Sequence, residues 1–161
     1  MFDTEITINR FLVGYAQMMT AEIADERMTE QPVADVNHPA WILGHLAFSA
    51  ELAVSRLGGE KTLAESWAKL FGPGSKLSST RAEYPSKESL LKALEQTFDR
   101  ARTLASQATD EQLSMPNPNE RLRPMLPTIR DSVAFLLTGH FGVHLGQLSA
   151  WRRMIGLPAM F

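Results

Sequence analysis

Apolar residues recur at three- and four-residue spacing over most of the chain, and nowhere with the strict alternation of a half-buried strand. Over residues 4–28, Ile8, Phe11, Leu12, Tyr15, Met18, Met19 and Ile23 form such a stripe and predict a first helix. Asn37 reads as the N-cap of a second, with Pro39 in the first turn, where its missing N–H costs nothing. That helix runs to about Leu57 and stops at Gly58-Gly59. "TLAESWAKL" predicts a short helix before the breaker "GPGS" at 72–75. Ser86 opens the third long helix, whose stripe is Leu90, Leu91, Leu94, Phe98, Ala101 and Leu104. The stretch "MPNPNERLRPMLPT" holds four prolines and cannot be a helix interior. A fourth helix is predicted from about Thr128 to Gly156, with Pro158 behind it as a stop.

Four long helices without strands or a fixed repeat imply an all-α fold, a four-helix bundle formed by residues 1–161 as one domain. The connections between helices two and three, and between three and four, are long enough for crossover topologies. A chain of 161 residues is large enough to bury a core without disulfides or a structural metal.

Composition removes several function classes. A formal net charge of -2 supplies no basic field for nucleic acid. The absence of cysteine excludes disulfides, thiolate metal sites and a cysteine nucleophile, and fits a reducing compartment. The acidic start "MFDTEITINRF" lacks the pattern of a signal peptide, and no apolar run is long enough to cross a bilayer. The expectation is a cytoplasmic protein with neither nucleic-acid nor membrane partners.

The chemistry concentrates in "TGHFGVHLGQL", at 138–148. On a helix, His140 and His144 differ by about 40° in direction and about 6 Å in height, so both rings can reach one ion. The same wheel puts Val133, Leu137, Gln147 and Trp151 near the histidine direction, so the pair faces the core. Buried imidazoles need partners, and either a shared metal ion or bonds to backbone carbonyls and water would supply them. A third ligand has to come from another helix. His45, in "NHPAWILGHLAFSAEL", shares an inward stripe with Trp41, Phe48, Ser49 and Leu52. His38, about 10 Å from His45 along the axis and next to a proline, reads as a helix-start residue and not a ligand. Phe141 stands where zinc proteases of the HEXXH type need glutamate, which excludes that chemistry. Gly139, Gly142 and Gly146 cluster opposite the histidines, with Ser149 close by. Glycine weakens a helix, so this strip is expected to receive another backbone, within the bundle or across a homodimer; the alternative is a strip that faces water.

"NHPAWILGHLAFS" and "HFGVHLGQLSAWRRMIGLP" resemble the DinB/YfiT superfamily, a set of bacterial four-helix metal-binding proteins. The likeness covers nearly the whole chain. Its specific part combines Trp-x-x-x-His in the second helix with His-x-x-x-His-x-x-Gln and a following Arg-Arg and Gly-x-Pro in the fourth. The resemblance implies an up-down-down-up bundle with short extra helices in the connections, a frequent homodimer, and a divalent metal, zinc or nickel, on His45, His140 and His144. Gln147, one turn past His144 on the same stripe, would either hydrogen-bond beside the histidines or to substrate, or simply pack, and Trp41 is a further candidate for an outer hydrogen-bond or substrate contact. Some relatives are transferases or isomerases that use low-molecular-weight thiols such as bacillithiol, mycothiol or glutathione, and others have no established activity. Three readings follow: a metal-dependent thiol S-transferase acting on a small electrophile, a non-catalytic metal-binding stress or interaction protein, and a metal-water hydrolase, for which no carboxylate is obviously placed as a base. In a chain without cysteine the thiol would be a cosubstrate. Arg121, Arg123 and Arg130, around the proline-rich loop, either meet its carboxylates or are simply solvated. Metal affinity is expected to fall as pH drops through the ordinary histidine range, about 6.5.

Overall fold

A computed structural model describes residues 1–160, and each of the four long apolar stripes lies mainly on helix. Its elements are α1 (Asp3–Ala21), α2 (Pro39–Arg56), α3 (Ser66–Phe71), α4 (Lys87–Gln107), α5 (Asp110–Ser114), α6 (Ile129–Leu137) and α7 (Gly139–Met154), with single 3-10 turns at Asp25–Arg27 and Arg81–Glu83. Among the described residues there is no strand, only an isolated bridge between Pro116 and Thr128. The helix α2 is central. It packs chiefly on α4 and also on α3, α6 and α7, while α1 packs on α4, α6 and α7. This explains why α2 is apolar on nearly every side, with Ile42, Leu43, Leu46, Ala47, Ala50 and Val54 fully buried.

The helix starts follow local chemistry. Ser86 accepts a hydrogen bond from the Ser89 N–H, and Thr128 and Asp131 form a reciprocal capping box at the start of α6. At α2 the N-cap is His38 and not Asn37: the Trp41 N–H donates to His38 Nδ1 at 3.1 Å. An imidazole can accept there only if it is uncharged. Complete burial ensures this, lowering the His38 pKa to about 4.

Two predicted helices are shorter or divided. The first ends at Ala21 and not near Met28, because cations from elsewhere take the carbonyls at its end. Arg152 donates to Met19 O at 2.6 Å, and Lys87 Nζ donates to Ala21 O at 2.9 Å and Ile23 O at 2.7 Å. Its stripe is also two-sided. Ile6, Asn9, Val13, Ala16 and Met19 are buried, whereas Ile8, Phe11 and Met18 from the predicted stripe are exposed.

The predicted fourth helix breaks at Thr138, whose backbone leaves helical geometry at φ -127 and ψ -75, giving α6 and α7. Thr138 Oγ1 donates back to Ala134 O at 2.7 Å, a bond that bends helices. Leu137 O accepts instead from Asn9 Nδ2 at 2.7 Å, and Asn9 Oδ1 accepts from the buried Arg102 at 2.6 Å. Side chains of α1 and α4 thus hold the joint from which α7 begins. The proline-rich loop is anchored by Asn117, which is fully buried and donates from Nδ2 to Leu126 O at 2.9 Å and from its backbone N–H to Pro127 O at 2.9 Å.

Of the glycine strip on α7, Gly139 lies against the Phe135 ring, whereas Gly142 and Gly146 face open space among the described residues. Gly139, Gly142 and Gly146 are exposed, and a methyl group added at Gly142 or Gly146 would meet no atom within 4 Å. Gly142→Ala and Gly146→Ala are therefore each expected to raise the unfolding free energy, by up to about 1 kcal/mol, in urea denaturation. A loss of stability would show that a second copy covers this face in solution.

Candidate metal centre

His45 from the second turn of α2 and His140 and His144 from the first two turns of α7 converge in the interior. One ring nitrogen from each lies within 4.8 Å of the other two, and the ring centroids are 4.6 Å (His45 to His144), 4.7 Å (His140 to His144) and 5.2 Å (His45 to His140) apart. His45 and His144 are buried and His140 is half-buried.

Each ring is held by a partner outside the trio. His45 Nδ1 donates to Phe71 O at 2.6 Å, so its Nε2 keeps a free lone pair. His144 Nδ1 donates to Gln147 Oε1 at 2.9 Å, again leaving Nε2 as the free nitrogen. Gln147 Oε1 is itself fixed by Asn37 Nδ2 at 3.0 Å. His140 Nε2 shares a hydrogen bond with Ser49 Oγ at 3.1 Å. Trp41 stacks on His45 with centroids 4.5 Å apart and planes 9° from parallel, and its Nε1 donates to Ser75 Oγ at 2.8 Å. Gln147 thus sits directly behind a histidine, and Trp41 forms a wall against another. Asn37, expected as a cap, orients the glutamine instead.

Burial lowers the basicity of all three. His140 is lowered to about 3 by desolvation and then by neighbouring His144 and His45. His144 is lowered to about 4 by desolvation and then by His45, against the opposing bond from Gln147. His45 is lowered by desolvation, opposed by the Phe71 carbonyl. His140 and His144 therefore stay neutral well below the ordinary imidazole pKa of about 6.5, so protons compete for their nitrogens only at a lower pH than composition alone suggests.

The family model of the DinB superfamily matches residues 15–148, a span that includes all three histidines. This chain belongs to the DinB superfamily. No curated protein and no solved structure matches it. In this DinB protein His45 and His140, but not His144, line a cavity of about 300 Å³. Ser49, Leu52 and Arg56 follow His45 along α2, and Leu136, Phe135 and Ser132 lead away from His140 along α6; all of them line it. The bonds from Ser49 to His140 and from Arg56 to Ser132 show that the two helices run antiparallel here.

The proline-rich loop contributes Asn119 and Leu122 to the cavity and none of its arginines. Arg123 is turned to Asn117 O and Glu120, and Arg130 pairs with Asp110 at 2.7 Å. Arg121 is exposed. The cation at the cavity, Arg56, carried no motif in the sequence; only its spacing of three turns from His45 would have pointed to it. Among the described residues, no helix is long and apolar enough to cross a membrane.

Two outcomes follow from this geometry. A methyl group at Gly44 would lie 2.2 Å from the Phe71 ring, which is fully buried. Gly44→Ala is expected to cost about 1–3 kcal/mol in denaturant unfolding, as overpacking does. It should also shift the ¹⁵N resonances of His45 away from the Nδ1-protonated pattern, because the carbonyl holding that ring moves with Phe71. Acid should act through the same burial. Unfolded imidazoles bind protons at about 6.5, while folded His140 and His144 do so only near 3 to 4, so protons favour the unfolded chain throughout that window. The urea midpoint of metal-free protein should fall steadily from pH 7 to pH 5 (roughly the upper part of that window), and His144→Gln should flatten the slope. An unchanged midpoint would contradict the burial of neutral rings.

Proposed function

We propose that this protein is a divalent-metal-dependent transferase that uses a low-molecular-weight thiol, with zinc or nickel held by His45, His140 and His144. The observation that supports this reading is the set of three ring donors that converge in the interior, two of them with Nδ1 already committed and Nε2 left open, with His45 and His140 also lining a largely apolar cavity. Three histidine nitrogens are a donor set that suits zinc or nickel and leaves further coordination positions open. When bound, such an ion lowers the pKa of a thiol or water and holds it at the inner end of the cavity.

The chain's own groups supply the rest. Phe71 O and Gln147 fix tautomers and ring orientations, a role that commonly governs metal affinity. Trp41 covers the face of His45 and excludes water from it. Phe48, Leu52 and Leu136 offer an apolar wall to the carbon body of a small electrophile. The chain has no cysteine, so the thiol is a cosubstrate. A hydrolase fits less well, because no carboxylate lines the cavity and the buried Glu51 is committed to Thr62 and Arg100. The reading includes a homodimer, for which exposed Ile8, Phe11 and Met18 provide apolar surface.

Titration of zinc should give one ion per chain, and His45→Ala, His140→Ala and His144→Ala should each abolish that stoichiometry. Gln147→Ala should weaken affinity about 10–100-fold. His38→Ala should leave it intact. Metal-free protein should keep its helical circular dichroism, because the core does not include the ion. The metal-loaded protein, screened with several low-molecular-weight thiols against a chromogenic electrophile, should accelerate transfer with at least one. Tight zinc binding without transfer would favour a non-catalytic metal-binding protein, and unchanged affinity in all three histidine variants would remove the site.

A further inference from the structure

The cavity beside the histidines has a second chemical end. Arg56 lies eleven residues after His45, three helical turns and about 16 Å along α2, and therefore on the same face. Its guanidinium is half-buried in the cavity lining, and its hydrogen bond is to Ser132 Oγ. Among the described residues, every other arginine that is not exposed has a carboxylate partner within 4.0 Å: Arg81, Arg100, Arg102, Arg123, Arg130 and Arg152. Arg56 has none. A cation at the last turn of a helix is favourable in itself, which accounts for a basic residue at this position. It does not account for a guanidinium turned into a cavity whose other lining groups are neutral. Burial disfavours the charged form here, lowering the Arg56 pKa from its usual value. A guanidinium has five N–H donors in a planar fork, and a carboxylate is the anion that matches it in shape and charge.

We propose that Arg56 recognises the carboxylate of the small molecule that occupies this cavity, so that the ligand has an anionic end at Arg56 and Ser132, an apolar middle against Leu52 and Leu136, and its reacting end at the histidines. One guanidinium without a second cation suits a singly charged carboxylate better than a doubly charged phosphoryl group. The assignment of the reacting end rests on the metal–thiol reading above; the anionic end does not. The selectivity is therefore for carboxylic acids that carry a second functional group at the opposite end of an apolar chain, whether as thiol or as electrophile.

The test separates the two ends. Calorimetric titration of metal-free protein with hexanoate and with hexanol at neutral pH should show at least tenfold tighter binding of the acid, and hexylphosphonate should bind no tighter than hexanoate. Arg56→Gln should abolish the preference for the acid while leaving hexanol affinity unchanged, and Arg56→Lys should keep part of it. Equal affinity of hexanoate and hexanol for the unaltered protein, or a preference that survives in Arg56→Gln, overturns the proposal; tighter binding of the phosphonate overturns the choice of carboxylate. Mercaptohexanoate should then gain over hexanoate only in zinc-loaded protein. Loss of that gain would count against the metal–thiol reading while leaving the Arg56 result standing.

Discussion

Three imidazoles packed ring to ring inside a helical bundle are tolerable only while uncharged and only if their N–H groups find acceptors, and much of the surrounding architecture answers that requirement. The acceptors do not come from the helices that carry the histidines alone. Phe71 O lies at the end of the short α3, and the amide of Gln147 is steadied by Asn37 from the segment before α2. Connections that look like simple spacers in the chain therefore complete the site. The breaker at 72–75 does the same, since its Ser75 receives the indole N–H of the tryptophan stacked on His45.

The same requirement explains what could be read from the chain and what could not. The helix starts at Ser86 and Thr128 were legible because capping is local, and the inward direction of His45, His140 and His144 was legible because helical periodicity places them on buried stripes. The end of α1 was not. Its apolar spacing continues through Ile23 and Met28, which are buried from a 3-10 turn and its flanks, and the helix stops because Arg152 and Lys87, distant in sequence, occupy its last carbonyls. Periodicity reports which residues are buried and does not report which backbone groups have already been taken. His38 as a cap was hidden for a related reason: histidine accepts at an N-cap only when burial keeps it neutral, and burial at that position is a tertiary fact. Arg56 belongs with these, since the residue alone does not reveal that its neighbours carry no acid.

The interruption at Thr138 is the least visible of these features and bears most directly on the site. A helix continuous from residue 128 would fix the angle between Ser132 and His140 by main-chain geometry alone. Here that angle is set by side chains from two other helices, through Arg102, Asn9 and Leu137 O, all deep in the core. The position of the first histidine on α7 thus depends on an asparagine in α1, more than a hundred residues earlier in the chain.

Division of the fourth helix also separates two tasks that a single rod would have bound together. The rings of His140 and His144 stand on α7, whereas Phe135, Leu136 and Ser132, which line the cavity, stand on α6. A change at Ser132 or Leu136 alters the length or charge of the cavity from α6, whereas Phe135, whose ring lies 5.6 Å from that of His140, links the two segments. The cavity's far end and the histidine cluster can therefore be altered by substitutions in different segments, which gives this scaffold a modular route to diversification.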